Sequence, residues 1–342
     1  TWMILITSLS TSTIITMSST HWLLAWLGLE LNTLSMLPVM MKLHHPRATE
    51  ATTKYFIIQA TAAAMIMFAG TLNAWTTGQW YITNTMSTTA TTILTTAIML
   101  KLGLAPVHFW YPEVLQGSTM MTAMIISTWQ KFAPLTLLYL TINNLSTNVL
   151  LLAGLTSTLI GGLAGLNQTQ TRKILAFSSI AHMGWLITAL TINPSLATMT
   201  MLIYVVMTTT LFLSLNTTQA KTLMDLGTTW TYSPTLLMMT MLSLLSLGGL
   251  PPLTGFIPKW LILKELTLTG MMPLATTMAL ASLPSLFFYT RMAYLMALTM
   301  PPNTTSTEHS WRFKVNHTPT STMTITLTLM LLPTTPLLFL TL

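Results

Sequence analysis

Residues 98–113 read I-M-L-K-L-G-L-A-P-V-H-F-W-Y-P-E. Lys101 stands inside an apolar run that begins near Thr91, and Gly103 and Pro106 then interrupt that run. A lysine at the centre of a bilayer costs about 3 kcal/mol on insertion scales, so such residues face partners or water. The stretch reads as a broken membrane helix with a cation just ahead of the break.

The pattern returns later in the chain. Gly103 to Glu113 lies over Gly249 to Lys259 without a gap, matching the glycine, the following leucine and two prolines, and leaving a charge at the last position of each. Interrupted membrane helices at corresponding places in two halves are the mark of transport folds built from repeats.

Composition supports a membrane setting. Of 342 residues, 52% are hydrophobic and only 6% charged, against about 25% charged in a soluble domain. Mean hydropathy is +0.66. The net charge of +7 comes from cations scattered among apolar spans, with no dense basic face, which excludes nucleic acid as a partner. Cysteine is absent, so disulfides and thiolate-ligated iron–sulfur clusters are excluded from this chain. No basic segment precedes an apolar core at the start, so no secretory signal or transit peptide is read there.

The spacing predicts an all-α polytopic membrane protein of about eleven transmembrane helices of about 20 residues each. The spans run roughly from Trp2 to Ser19, Trp22 to Met41, Tyr55 to Trp75, Thr91 to Trp110, Met120 to Leu140 and Val149 to Leu166. They continue from Ile174 to Thr191, Ser195 to Leu215, Leu236 to Leu268 with its break, Pro273 to Met296, and Thr322 to Leu342. Met120 to Leu140 is read as unbroken. Loops after even-numbered spans hold Lys42, Arg47, Lys54, Arg172, Lys173, Lys221, Arg312 and Lys314, whereas those after odd-numbered spans hold only Lys264. By the positive-inside rule the N-terminus lies inside and the C-terminus outside. Spans four and nine then run in opposite directions, which predicts two inverted five-helix repeats, 1–145 and 146–300. A loop and C-terminal helix at 301–342 complete a single transmembrane domain, 1–342.

Few ionisable groups fall at membrane depth. Glu30, Lys101 and Lys131 lie mid-span, Lys259 follows the second break, His182 sits in S-S-I-A-H-M-G-W and His108 follows the first break. The structural reading of the four charges is a set of salt bridges fixing helix packing. One charge in each of four spans favours a path instead. For His182 and His108, a relay role and a hydrogen bond to neighbouring backbone stay equally open. Glu113 beside Pro112 is read as a loop charge, and Asp225, Glu308 and His309 as solvated.

The chemistry these residue types permit is proton transfer, because an amine and a carboxylate taken out of water each act on the other's protonation. Moving such a pair from about 4 to about 8 Å at an effective dielectric near 20 changes their interaction by roughly 2 kcal/mol. Carrying a proton against about 150 mV needs roughly 3.5 kcal/mol. One pair is too weak, so several coupled groups are expected. Unwound backbone at the breaks would hydrate the gaps between them.

The segment L-N-Q-T-Q-T-R-K-I-L-A-F-S-S-I-A-H-M-G (166–184) resembles the most specific signature of the antiporter-like subunits of proton-pumping NADH:quinone oxidoreductase, respiratory complex I. W-L-G-L-E-L-N (26–32), the 101–117 stretch, W-Q-K (129–131) and L-S-L-G-G-L-P-P-L-T-G-F-I-P-K-W (245–260) extend the resemblance over nearly the whole chain. It implies Glu30 and Lys101 as the charged pair of one half-channel, Lys131 as the central relay and Lys259 as the lysine of the other half. It also implies a multi-pass protein of the mitochondrial inner membrane with basic loops in the matrix and the C-terminus in the intermembrane space. Neighbouring complex I membrane subunits would be partners, and lipids would fill the place of three N-terminal helices that the longer family members carry. No cofactor and no metal is expected in this chain; NAD, FMN, iron–sulfur clusters and ubiquinone would belong to other subunits. Two other classes are weighed: a stand-alone cation/proton antiporter, against which Glu30 is the one evident intramembrane acid, and a membrane scaffold with inert ion pairs.

Overall fold

The computed structural model describes residues 2–42, 44–227, 229, 233–298, 319–333 and 335. Glu308, His309, Arg312, Lys314 and the last residues of the final expected span lie outside them. Among the described residues the secondary structure is helical apart from two isolated bridges, His21 with Tyr81 and Gln170 with Thr222. The chain divides into two compact units, Thr1–Ser157 and Thr158–Leu342.

The first unit holds α1 (Trp2–Ser18), α2 (Trp22–Met41), α3 (Pro46–Thr77), α4 (Thr88–Leu102), α5 (Trp110–Gly117), α6 (Met120–Ser127), α7 (Phe132–Thr141) and the start of α8 (Thr147–Leu166). The second holds the rest of α8, then α9 (Thr171–Ile192), α10 (Pro194–Thr218), α11 (Leu223–Leu226), α12 (Pro234–Gly248), α13 (Phe256–Leu268), α14 (Met272–Leu298) and α15 (Pro319–Met330). Among the described residues six helices, namely α2, α3, α8, α9, α10 and α14, are long and apolar enough to cross a bilayer. Of these α9 is the most enclosed, with 89% of its apolar window buried, as expected of a helix apolar on all sides.

Local sequence sets the helix ends. Side chains of Ser87, Thr119 and Asn193 accept from the first-turn N–H groups of α4, α6 and α10, and prolines open α3, α10, α12 and α15 where a missing N–H costs nothing. Within helices, hydroxyls satisfy themselves. In α1, Thr7, Ser8, Ser10, Thr11, Ser12, Thr13 and Thr16 each donate to the carbonyl three residues back. With no water in hydrocarbon, that local bond lets a hydroxyl face lipid without an orphaned donor.

Three expectations are corrected. The run from Met120 to Leu140 is not one helix: α6 ends at Ser127, a 3-10 turn covers Trp129–Lys131, and α7 starts at Phe132. Pro134 lacks the N–H that would bond Gln130, and its ring crowds that carbonyl, so the ladder breaks there. Arg47 and Lys54 are not in a loop, because α3 begins at Pro46, and Arg172, Lys173 and Lys264 likewise lie within α9 and α13. Glu113 is not in a loop either: it lies in the first turn of α5, and Lys54 bridges it at 2.7 Å and Glu50 at 2.6 Å.

Candidate functional site: two broken helices and their lysines

In the first unit, α4 stops because Gly103 takes a left-handed φ of 70°, which a residue with a Cβ rarely adopts. The Gly103 N–H donates to Leu100 O at 3.3 Å and the Leu104 N–H to Met99 O at 3.0 Å, a paired helix ending. Val107 N–H then donates to Leu104 O at 2.9 Å, Tyr111 N–H to His108 O at 3.0 Å, and α5 follows; the Ala105–Pro106 peptide is cis. Lys101 sits in the last turn of α4, 6% exposed, and its own carbonyl accepts from Gln59 Nε2 of α3 at 3.4 Å.

The break of α6 and α7 brings Lys131 to the same place. Lys101 and Lys131 line one cavity of about 10 Å³ with Tyr55, Gln59, Trp110, Tyr111 and Gln130. That is close to the smallest volume that holds one water. Lys131 is 3% exposed, and its Nζ stands 5.1 Å from the centre of the Tyr111 ring, whose negative face attracts a cation. Gln130 Nε2 donates to Asn32 Oδ1 at 3.1 Å, tying the turn that carries Lys131 to α2 two residues beyond Glu30.

Glu30 is not in that cavity. Its Oε2 is buried without a hydrogen-bond partner among the described residues, and the residue lines an open groove of about 450 Å³ with Trp26, Ala60, Ala63, Ala64, Met67, Phe68 and Thr71. It lies within electrostatic reach of Lys101 and Tyr55 without a direct contact to either. His108 is buried against Phe109, ring centres 4.5 Å apart, and does not line the lysine cavity.

In the second unit, Gly249 ends α12 with φ 84°, its N–H donating to Ser246 O at 3.0 Å and that of Leu250 to Leu245 O at 3.4 Å. Leu253 N–H donates to Leu250 O at 2.9 Å and Ile257 N–H to Thr254 O at 3.3 Å. The return to helix is very close-packed: a Cβ on Gly255 would overlap Ser246 O. Lys259, in the first turn of α13, is 9% exposed and donates its Nζ to Gly248 O at 2.9 Å. α13 continues to Leu268, so Lys259 is enclosed by helix on the far side of the break. His182 of α9 and Lys259 line one cavity of about 20 Å³ with Trp185, Tyr204 and Met207 among its walls. Tyr289 Oη and His182 Nε2 are 3.4 Å apart.

Four features escape a reading of the sequence alone: the turn that carries Lys131, the Asn32–Gln130 and Gln59–Lys101 bonds, and Arg291, whose Nη1 donates to Leu166 O at 2.9 Å. Pro134 signals the first. Neutral amides are silent in a search for charges, and Arg291 stands two turns before the end of α14, outside the loops counted for orientation. Among the described residues no group of three or more His, Asp or Glu side chains gathers as metal ligands would.

Residues 19–285 match the family model described as NADH:quinone oxidoreductase/Mrp antiporter, transmembrane, and residues 286–339 match that of the NADH dehydrogenase subunit 2 C-terminus. The chain belongs to this family. NADH-ubiquinone oxidoreductase chain 2 of Carassius auratus is 56% identical over 310 residues, 91% of this chain and 89% of that one. The chicken protein of the same name, from Gallus gallus, is 53% identical over 97% of this chain and 96% of its own. Among solved structures, respiratory complex I from Thermus thermophilus with bound aureothin contains a chain matching at TM-score 0.83 and 26% identity, over 98% of this chain and 76% of that one. The Mrp complex from Dietzia sp. DQ12-45-1b matches at TM-score 0.81 and 18% identity over 88% of this chain and 61% of its own, a likeness of fold. The antiporter-like membrane fold and the complex I affiliation read from residues 26–32, 101–117, 129–131, 166–184 and 245–260 are thus borne out.

Proposed function

We propose that this chain is a proton-translocating membrane subunit of NADH:ubiquinone oxidoreductase, driven by redox chemistry in other subunits. One observation carries the reading: two buried lysines from different helices, Lys101 and Lys131, open onto one cavity of about a single water's volume, beside the Tyr111 ring. A water there can pass a proton between amines that never touch. Glu30, in its own groove, acts on Lys101 only through space. In the second unit Lys259 and His182 share a cavity, and a proton lost from Lys259 weakens a charge-assisted bond to Gly248 O. His108 is assigned a packing role.

The wider assignment follows. The chain spans the mitochondrial inner membrane about eleven times as two inverted five-helix halves and a C-terminal helix, with basic loops in the matrix. Its partners are neighbouring membrane subunits, and NAD, FMN, iron–sulfur clusters and ubiquinone are bound elsewhere in the complex. A stand-alone antiporter needs an acidic cation site, and Glu30 is the one buried carboxylate oxygen without a hydrogen-bond partner among the described residues.

Lys131→Met in the assembled complex tests this. Proton transfer per NADH oxidised should fall severalfold with assembly retained. Unchanged pumping by an assembled variant would leave only a scaffold, and cation transport by the purified chain in liposomes would favour the antiporter.

A further inference from the structure

We propose that the outward face where α8 meets α14 binds a phospholipid with an anionic headgroup, its phosphate held by Arg291 and its acyl chains lying along Leu163, Leu283 and Phe287. The two helices run side by side in the same direction: Gly162 lies against Pro284, Gly165 against Phe288, and Leu166 O accepts from Arg291 Nη1 at 2.9 Å. Leu163, Leu283, Phe287 and Tyr294 are 55–61% exposed, and positions 283, 287, 291 and 294 form one helical stripe. Apolar side chains so exposed on a membrane protein meet lipid tails. The stripe changes character at Arg291, level with the last residue of α8, where a bilayer changes from hydrocarbon to headgroup.

Charge selects the headgroup. A guanidinium presents five N–H donors in a fork that fits a phosphate. Arg291 gives one bond to Leu166 O, and the ion pairs within the described residues are those of Lys54, so no carboxylate among the described residues pairs with it. More cations surround the same helix end. Phe177 of α9 touches Gly165, as Phe288 does, which puts Lys173 one turn above that level on α9 as Arg291 is on α14. The backbone of Lys221 joins the group by accepting the Thr171 N–H at 3.1 Å. Asp225, the nearby acid, directs Oδ2 to the N–H groups of Lys221 and Thr222 at 3.1 and 2.8 Å. A zwitterionic headgroup would add an ammonium to this cluster, whereas an anionic one offsets it.

The site is independent of the relay lysines, so it can fail while the transport reading holds. The assembled complex would be reconstituted in nanodiscs of phosphatidylcholine alone and of phosphatidylcholine with phosphatidylglycerol, and density maps compared. A headgroup phosphate within hydrogen-bond distance of Arg291 is expected with phosphatidylglycerol and not with phosphatidylcholine alone. Native mass spectrometry of Arg291→Gln should show loss of a retained phosphatidylglycerol that Arg291→Lys keeps in part. Equal headgroup density in both discs, no density in either, or a protein helix covering Phe287 and Arg291 would overturn the proposal. The paired maps need no variant, so a substitution that blocks assembly does not weaken the test.

Discussion

The breaks at 103–109 and 249–255 share a backbone and differ in where the lysine enters. Each opens with a left-handed glycine whose N–H and its neighbour's fold back on the last turn, and each then makes a bond across three residues, Val107 to Leu104 and Leu253 to Leu250. In the first unit Lys101 precedes the glycine, and a neutral amide, Gln59, accepts the task of bonding the freed carbonyl. In the second, Lys259 follows the break and its own ammonium bonds the freed carbonyl of Gly248. One loop geometry therefore yields two kinds of cation. The Lys101 ammonium lines a cavity without a hydrogen bond among the described residues, while Lys259 is structurally engaged as well as titratable.

The sharpest way to break this comparison is at matched positions 255 and 109. Gly255→Ala places a methyl into Ser246 O, backbone that cannot move cheaply, and should cut the assembled subunit severalfold on native gels. Phe109→Ala, at a residue 75% exposed, should assemble normally. Next in size, Lys259→Met strips Gly248 O of its donor, a loss of about 1–3 kcal/mol. Amide exchange at Gly249, Leu250 and Leu253 should quicken about tenfold or more, measured by mass spectrometry. Lys101→Met should lower pumping without that local opening at Gly103 and Leu104; equal loosening in both variants would erase the distinction. Smaller still, Asn32→Leu removes a bond of about 1 kcal/mol that orients the turn carrying Lys131, and should reduce pumping less than Lys131→Met does. Smallest, Lys54→Met leaves the thermal midpoint of the complex unchanged at physiological salt, since its pairs with Glu50 and Glu113 are solvent-exposed.

Much of the frame was legible because a lysine is costly in a membrane helix, and a left-turning glycine and a proline beside it at 101–106 and again at 249–259 need a shared cause. The interruption at Lys131 was hidden for the opposite reason: proline is common in membrane spans, and Pro134 acts on Gln130, four residues before itself. The meeting of Lys101 with Lys131, and of His182 with Lys259, depends on how helices pack, which periodicity does not encode. Glu30 illustrates the limit. Its depth could be read from the sequence, but not that its carboxylate faces a groove between α2 and α3 rather than an ammonium.

The hydroxyls bonded to their own helices reach further than local packing. In α4, Thr91, Thr92, Thr95 and Thr96 each donate to the carbonyl three residues earlier, so each shows its surroundings mostly a methyl group. To a hydropathy index these positions count as polar, and to a lipid tail they resemble valine. Threonine and valine or isoleucine should thus interchange nearly neutrally on outward helix faces, and topology scans of threonine-rich chains will undercount their spans.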